Sequence, residues 1–287
     1  MNLKSLCFLL TAALSMSFSA ASPPRSLDAT LARLARVAEL YRDSALGFAC
    51  GEAIAYSGIV TGHIQFAYIF IRDDHGRLRD YRTWKTKTGG PEVNPSDYGV
   101  PRFLESAYLW AFVFRSDRQP LYRFELLGDD TVGGRPAVVI KFVPRAPIRN
   151  GLNDWAGYAR IDAESSQILE VEAYTPADWN RKLRRDAEAA AAPAKHKHGD
   201  TERFDVERIV TSFGFEKNGM RFPSRVAITK TRTTIVPGKA QQDLVGDVLR
   251  AVTQDYTKFE FFSVRSSDEI TRFVEGHDEL PAVATGK

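Results

Sequence analysis

From Gly51 onward the apolar residues switch from helical spacing to strict alternation, and this alternation constrains the fold more than any other feature of the chain. In HIQFAYIFIRDDHGRLRDYRTWK (63–85), Ile64, Phe66, Tyr68 and Phe70 share one face, and Gln65, Ala67, Ile69 and Ile71 the other. DDHG makes a tight turn, and 78–85 returns as a second strand. Alternating runs recur at 121–128, 135–143, 155–161, 167–174, 203–215, 220–231 and 250–264, with readable turns at GDDTVGG, DAESS and EKNG. With a strand near 53–60 the total is about ten, most joined by short hairpins, so neighbours run antiparallel.

The two faces of these strands are unequal. Phe204, Val206 and Val210 share a face interrupted only by Arg208, and Phe259 and Phe261 oppose Lys258 and Glu260. One wet face and one apolar face describe a single curved sheet, not a sandwich core buried on both sides. Such a sheet must cover its apolar face. One cover is a helix over 26–48, capped by Ser26, with Leu27, Leu31, Leu34, Ala38, Tyr41 and Ala45 at three- and four-residue steps. The other is FLESAYLWAFVF (103–114), whose apolar residues fall all round a helical wheel between Pro101 and Pro120. It reads as a helix in the concavity, as fixed core or as a lid; a buried strand satisfies the same composition. The fold class is therefore mainly β with helices (α+β), a large curved antiparallel meander.

The first residues read as a secretory signal: Lys4, an apolar stretch from Leu6 to Phe18, then Ser19 and Ala21 before a cleavage site. The expected organisation is a cleaved leader over 1–21, one β domain over 22–270 with a mobile insertion near 177–202, and a flexible tail over 271–287. Cys7 sits too early to be a lipid-attachment cysteine, so no lipid anchor is expected. Losing Lys4 with the leader leaves 38 Lys and Arg against 36 Asp and Glu, an even mixture without the clustered excess that a nucleic-acid footprint needs. Cys50 is then the sole cysteine, buried among small apolar neighbours or paired between chains.

Catalytic signatures are missing: there is no G-x-S-x-G, no H-E-x-x-H, no phosphate-cradling glycine loop and no C-x-x-C. Asp73, Asp74 and His75 are turn residues. His196 and His198 alternate with Lys195 and Lys197, which repel a cation, so no metal is expected there. No cofactor and no enzymatic activity are expected. Arg181, Lys182, Arg184 and Arg185, with Trp179 as an interfacial anchor, offer a contact for envelope proteins or a membrane surface, but Asp186 and Glu188 following immediately favour a solvated helix face.

GYARIDAESSQILEVEAY (157–174), EKNGMRFPSRVAI (216–228) and YTKFEFFSV (256–264) resemble the periplasmic lipoprotein-carrier superfamily, which includes LolA-, LppX- and RseB-type proteins. The G-x-x-x-I-D…S-x-x-I-L hairpin and the G-x-x-F-P-S strand entry carry the resemblance over about 50–270, while the first third is nearer to uncharacterised exported bacterial members. The resemblance implies a half-open barrel with helices in its mouth around an apolar cavity, and a soluble periplasmic location. It also implies binding or carriage of an acyl chain, lipid or lipidated protein, or a stress-sensing protein-interaction module on the same fold. The carriers' cavity arginine matches no single position here. Strand alternation alone supplies the candidate lining: Phe66, Tyr68, Phe70, Trp110, Phe124, Phe204, Phe259 and Phe261.

Overall fold

The computed structural model describes residues 26–43, 47–58, 61–72, 78–84, 110–145, 155–195, 202–235 and 246–261. The expected leader, the Asp73–His75 turn, the start of the 103–114 run, His196, His198 and the C-terminal tail lie outside them.

Helix α1 (Leu27–Asp43) opens where the sequence places its cap: Ser26 Oγ accepts the Ala29 N–H at 3.1 Å. The helix ends before the expected boundary, because Phe48 already begins the first strand. Its apolar stripe buries Leu34, Val37, Leu40 and Tyr41.

Ten strands form one sheet. In chain order they are β1 (Phe48–Ser57), β2 (Gly62–Arg72), β3 (Leu78–Trp84), β4 (Tyr122–Val132), β5 (Arg135–Pro144), β6 (Ala156–Asp162), β7 (Ile168–Tyr174), β8 (Glu202–Ser212), β11 (Arg225–Ile235) and β12 (Gly246–Phe261). Their spatial order is β3-β2-β1-β12-β11-β8-β7-β6-β5-β4, with every neighbouring pair antiparallel. Strands β3 and β4 stand at opposite edges and do not pair, so the sheet is a half-open barrel rather than a closed one. The runs expected over 203–215 and 220–231 each break once. Their pieces Phe215–Lys217 (β9) and Met220–Phe222 (β10) form a separate hairpin turned at Asn218-Gly219, both with positive φ. Pro223 cannot donate to a ladder and ends β10.

Two positions show how local chemistry sets the register. Strands β6 and β7 approach so closely at Gly157 that a Cβ there would lie 1.9 Å from the Glu172 carbonyl oxygen. In β12, Lys258 adopts φ 58° at a register shift between Ala49 and Gly51 of β1. This bulge moves the inward face from even positions (Val252, Gln254, Tyr256) to odd ones (Phe259, Phe261) and turns the ammonium away.

The sheet is covered on both sides, unequally. Its concave face meets α1, the single 3-10 turn Ala111–Phe114 and the β9–β10 hairpin, in one large apolar cluster. Within the segment expected to be a mobile insertion, Pro176–Lys195 forms a helix (α2). Its start is a Thr-Pro-x-Asp cap in which Asp178 N–H donates to Thr175 Oγ1 at 3.1 Å. The helix lies on the opposite face, where Trp179 packs with Ala156, Tyr174 and Val206 in a second, small cluster.

Candidate functional site

The concave face is lined in three zones. At one end, aromatic rings close the space between the sheet, α1 and the short hairpin. Phe48 lies 5.5 Å from Phe70 and 5.3 Å from Phe259, and Phe215 stacks on Phe259 at 4.4 Å. Phe222 meets Tyr41 edge-on at 6.3 Å, and the Tyr41 hydroxyl donates to the Arg221 carbonyl, which ties α1 to β10. Burial pushes the Tyr41 phenol pKa up, so that donor keeps its proton.

At the other end, the turn carrying Trp110 and Phe114 fills the concavity against β4, β5 and β8. Trp110 Nε1 donates to Thr211 Oγ1 at 2.6 Å, and its ring meets Trp155 edge-on at 5.1 Å. Phe114 packs on Phe124 and Phe142 at 5.8 and 6.0 Å. Gln119 Nε2 donates to Phe114 O and Leu31 O, clamping the turn to α1. The described part of the 103–114 run is thus one 3-10 turn, not a continuous helix.

A polar centre that alternation alone did not reveal sits on β1, β3 and β12, toward the β3 edge of the sheet. Arg82 on β3 forms a bidentate pair with Glu52 on β1: Nε to Oε2 at 2.6 Å and Nη2 to Oε1 at 3.1 Å, with side-chain exposures of 2% and 0%. Arg82 Nη1 also reaches Asp80 Oδ2 at 2.9 Å, and its guanidinium lies 4.8 Å over the Tyr68 ring. Gln254 Nε2 donates to Glu52 Oε1 at 3.3 Å, while its own Oε1, fully buried, meets no donor among the described residues. Burial works against the charge on Arg82, but the Glu52 carboxylate outweighs it and drives the pKa further up. Burial and then the Glu52 charge raise the pKa of Cys50 and of Tyr256. Cys50 is therefore buried and protonated, which resolves the alternatives its sequence left open and gives no thiolate nucleophile. The signal for this centre was available: Glu52 and Gln254 each interrupt an inward-facing apolar row, and Arg82 follows Asp80 on one face of β3.

Seven of the eight candidate residues come together. Phe66, Tyr68, Phe70 and Trp110 lie within the large cluster, and Phe124, Phe259 and Phe261 pack against it. Phe204 does not join them. It precedes Val206 on the face covered by α2, with the Arg184 guanidinium 5.4 Å over its ring.

Each member of the basic cluster of α2 pairs with a carboxylate. Arg181 pairs with Asp178, Lys182 and Arg185 with Asp186, and Arg184 with Glu202. Lys182 lies within 6.0 Å of the centres of the Tyr158, Tyr174 and Trp179 rings. Trp179 is 4% exposed, so it anchors α2 to its own sheet and is not available to a membrane interface. No helix among the described residues is long and apolar enough to cross a membrane.

An open antiparallel sheet with aromatic elements packed into its concavity is the class that this geometry defines. The chain is similar in fold to a LolA superfamily protein from Nitrosomonas europaea (10% identity, TM-score 0.38), covering 83% of this chain and 95% of that one. It is also similar to a putative outer membrane lipoprotein-sorting protein domain from Vibrio parahaemolyticus (11%, TM-score 0.38, covering 85% and 98%). A third is a DUF1329 family protein from Desulfovibrio piger (8%, TM-score 0.40, covering 85% and 96%). No family model matches the chain, and no curated protein matches it.

Proposed function

We propose that this is an exported periplasmic protein that binds or carries a hydrophobic ligand, an acyl chain, a lipid or a lipidated protein, on the concave face, without chemistry. One observation carries the reading: among the described residues the aromatic face of the ten-stranded sheet is covered by α1, the 3-10 turn Ala111–Phe114 and the two-stranded β9–β10 hairpin, not by a second large sheet. Such covers bury apolar surface, yet each is small enough to be exchanged for a ligand of the same polarity. The test is native mass spectrometry of 22–287 purified from a periplasm without detergent, followed by solvent extraction. An extractable lipid or fatty-acid mass is expected. An apo mass, together with failure to take up a fluorescent acyl probe, would refute the proposal.

A second reading, an envelope protein-interaction module, is favoured by the two sheet edges. Among the described residues no strand pairs with the outer side of β3 or β4, leaving ladders that a partner strand can extend. A partner captured from an envelope fraction that survives delipidation would favour this reading.

A further inference from the structure

A cleft of ≈ 910 Å³ lies where α2 runs beside the first half of β8 and the second half of β11. It is separate from the Glu52–Arg82 centre and the aromatic zones. Five cations line it against four carboxylates. Each carboxylate is already engaged, and the cations are not used equally.

Arg232 binds both oxygens of Asp205, at 2.7 and 2.9 Å, which leaves Lys230 3.9 Å from the same carboxylate. Glu207 is taken by Arg250, which reaches it from β12 across β11. Asp178 accepts from Thr175, Arg181 and the Glu207 N–H. Arg184 reaches Glu202 through two long contacts of 3.3 and 3.4 Å with its side chain 65% exposed. Arg203 is exposed and makes no ion pair among the described residues. The spare donors in the cleft are therefore cationic: all of Arg203, most of Lys230 and part of Arg184. The buried Phe204 ring beneath Arg184 gives that guanidinium a fixed floor.

We propose that this cleft binds a phosphate-type oxyanion, with Arg203 and Lys230 as its principal contacts and Arg184 as a third donor. Guanidinium forks match the oxygen spacing of phosphate, and the lysine adds a point charge. The bidentate Arg232–Asp205 pair and the Arg250–Glu207 pair form the rigid wall that holds the spare donors apart. The oxyanion's source is a soluble phosphate compound or a phospholipid headgroup, and the recognition chemistry is the same for both. This site does not rest on the reading of the concave face, since it shares no residue with it.

The test is calorimetric titration of residues 22–287 with inorganic pyrophosphate at low salt. Saturable binding is expected, weakened about tenfold or more by Arg203→Ala with Lys230→Ala, because two charge-assisted contacts are lost. Arg123→Ala, exposed on the distant β4, should leave it unchanged, and an unaltered urea midpoint confirms that the variants fold. Co-sedimentation with phosphatidylglycerol vesicles, competed by pyrophosphate and lost in the double variant, identifies the source as a headgroup. Pyrophosphate binding without vesicle binding identifies a soluble phosphate. Binding of neither probe, or binding insensitive to the double variant, overturns the proposal.

Discussion

Arg82→Met is the most informative single perturbation of the concave face. Methionine keeps the aliphatic volume of the arginine stem, so the change removes charge and donors with little cavity formation. It leaves the Glu52 carboxylate, with 0% side-chain exposure, holding one 3.3 Å contact from Gln254. Breaking a buried ion pair from one side costs about 3–5 kcal/mol, because the remaining charge has been taken out of water without compensation. For a chain of this size that is about 6–20 °C in Tm. Glu52→Gln should cost less, about 2–3 kcal/mol, because Arg82 retains Asp80 at 2.9 Å. The double variant removes both charges and should cost less than the sum of the singles by about 2 kcal/mol or more. Urea unfolding followed by fluorescence of the four tryptophans measures all three variants against the parent chain. Additive losses, or an Arg82→Met loss below about 1 kcal/mol, would show that water solvates the centre and that the pair is not buried in solution.

Further predictions concern the covers and the register. Trp110→Phe should cost about 1–2 kcal/mol by deleting the donor to Thr211, and should raise the rate of acyl-probe uptake by fluorescence. Gly157→Ala should cost about 3 kcal/mol, read as a lower urea midpoint at constant slope, because β6 and β7 must part to admit the Cβ. Lys258→Gly should stabilise by about 0.5–1 kcal/mol in the same assay, since glycine adopts φ 58° without a Cβ clash. Asp162 gives a pH dependence. Burial opposes its charge, but the Ser165 and Glu164 N–H groups and the Arg135 guanidinium outweigh it and hold the pKa below the usual carboxylate range. A depressed folded pKa stabilises above the unfolded value near 3.9 and is lost as pH falls through the folded value. Asp162→Asn should therefore be less stable than the parent at pH 7, by about 1–2 kcal/mol, with the difference lost in urea titrations as pH falls below the usual carboxylate range and through the depressed folded value.

Much of the meander was legible because one buried face enforces period two. Ile64, Phe66, Tyr68 and Phe70 point inward as their alternation requires, and DAESS turns the chain where it was read, whereas of GDDTVGG only Gly133 and Gly134 turn and the rest extends β4. In β8 the same logic met its limit. Its even positions, Phe204 and Val206, are buried by α2, whereas its odd ones, Ile209 and Thr211, face the concave core. Alternation assigns residues to opposite sides but does not say which layer covers either side. The helical state of 176–195 was signalled by Thr175-Pro176-x-Asp178 and by the i,i+4 pair Lys182–Asp186, yet its polar, alanine-rich composition with Pro193 outweighed those cues. Glu52 and Arg82 are 30 residues apart and meet diagonally across β2, where Cys50, Tyr68 and Arg82 are in register. A pair of that kind becomes visible only once the strand order is known.

The covers of the concave face differ in how firmly polar bonds hold them, and under the proposed ligand-binding reading this would decide which one is displaced at least cost. Replacing aromatic rings by an acyl chain exchanges one apolar burial for another, so the ring contacts of Phe114 and Trp110 pose little net barrier. Polar bonds carry no such compensation in an apolar ligand. Helix α1 is tied by the Tyr41 hydroxyl to Arg221 and by Gln119 to the Leu31 carbonyl, and leaving would also expose a full amphipathic stripe. The 110–114 turn holds the sheet through one side-chain bond, Trp110 to Thr211, and α1 through Gln119. Displacing it strands the Thr211 hydroxyl, 0% exposed, at about 1–3 kcal/mol unless the ligand supplies a donor. A ligand with a hydroxyl or amide near its apolar chain would satisfy Thr211 and enter more readily than a plain hydrocarbon. On the proposed ligand-binding reading, this one hydrogen bond would tie ligand selection to the turn that fills the concavity.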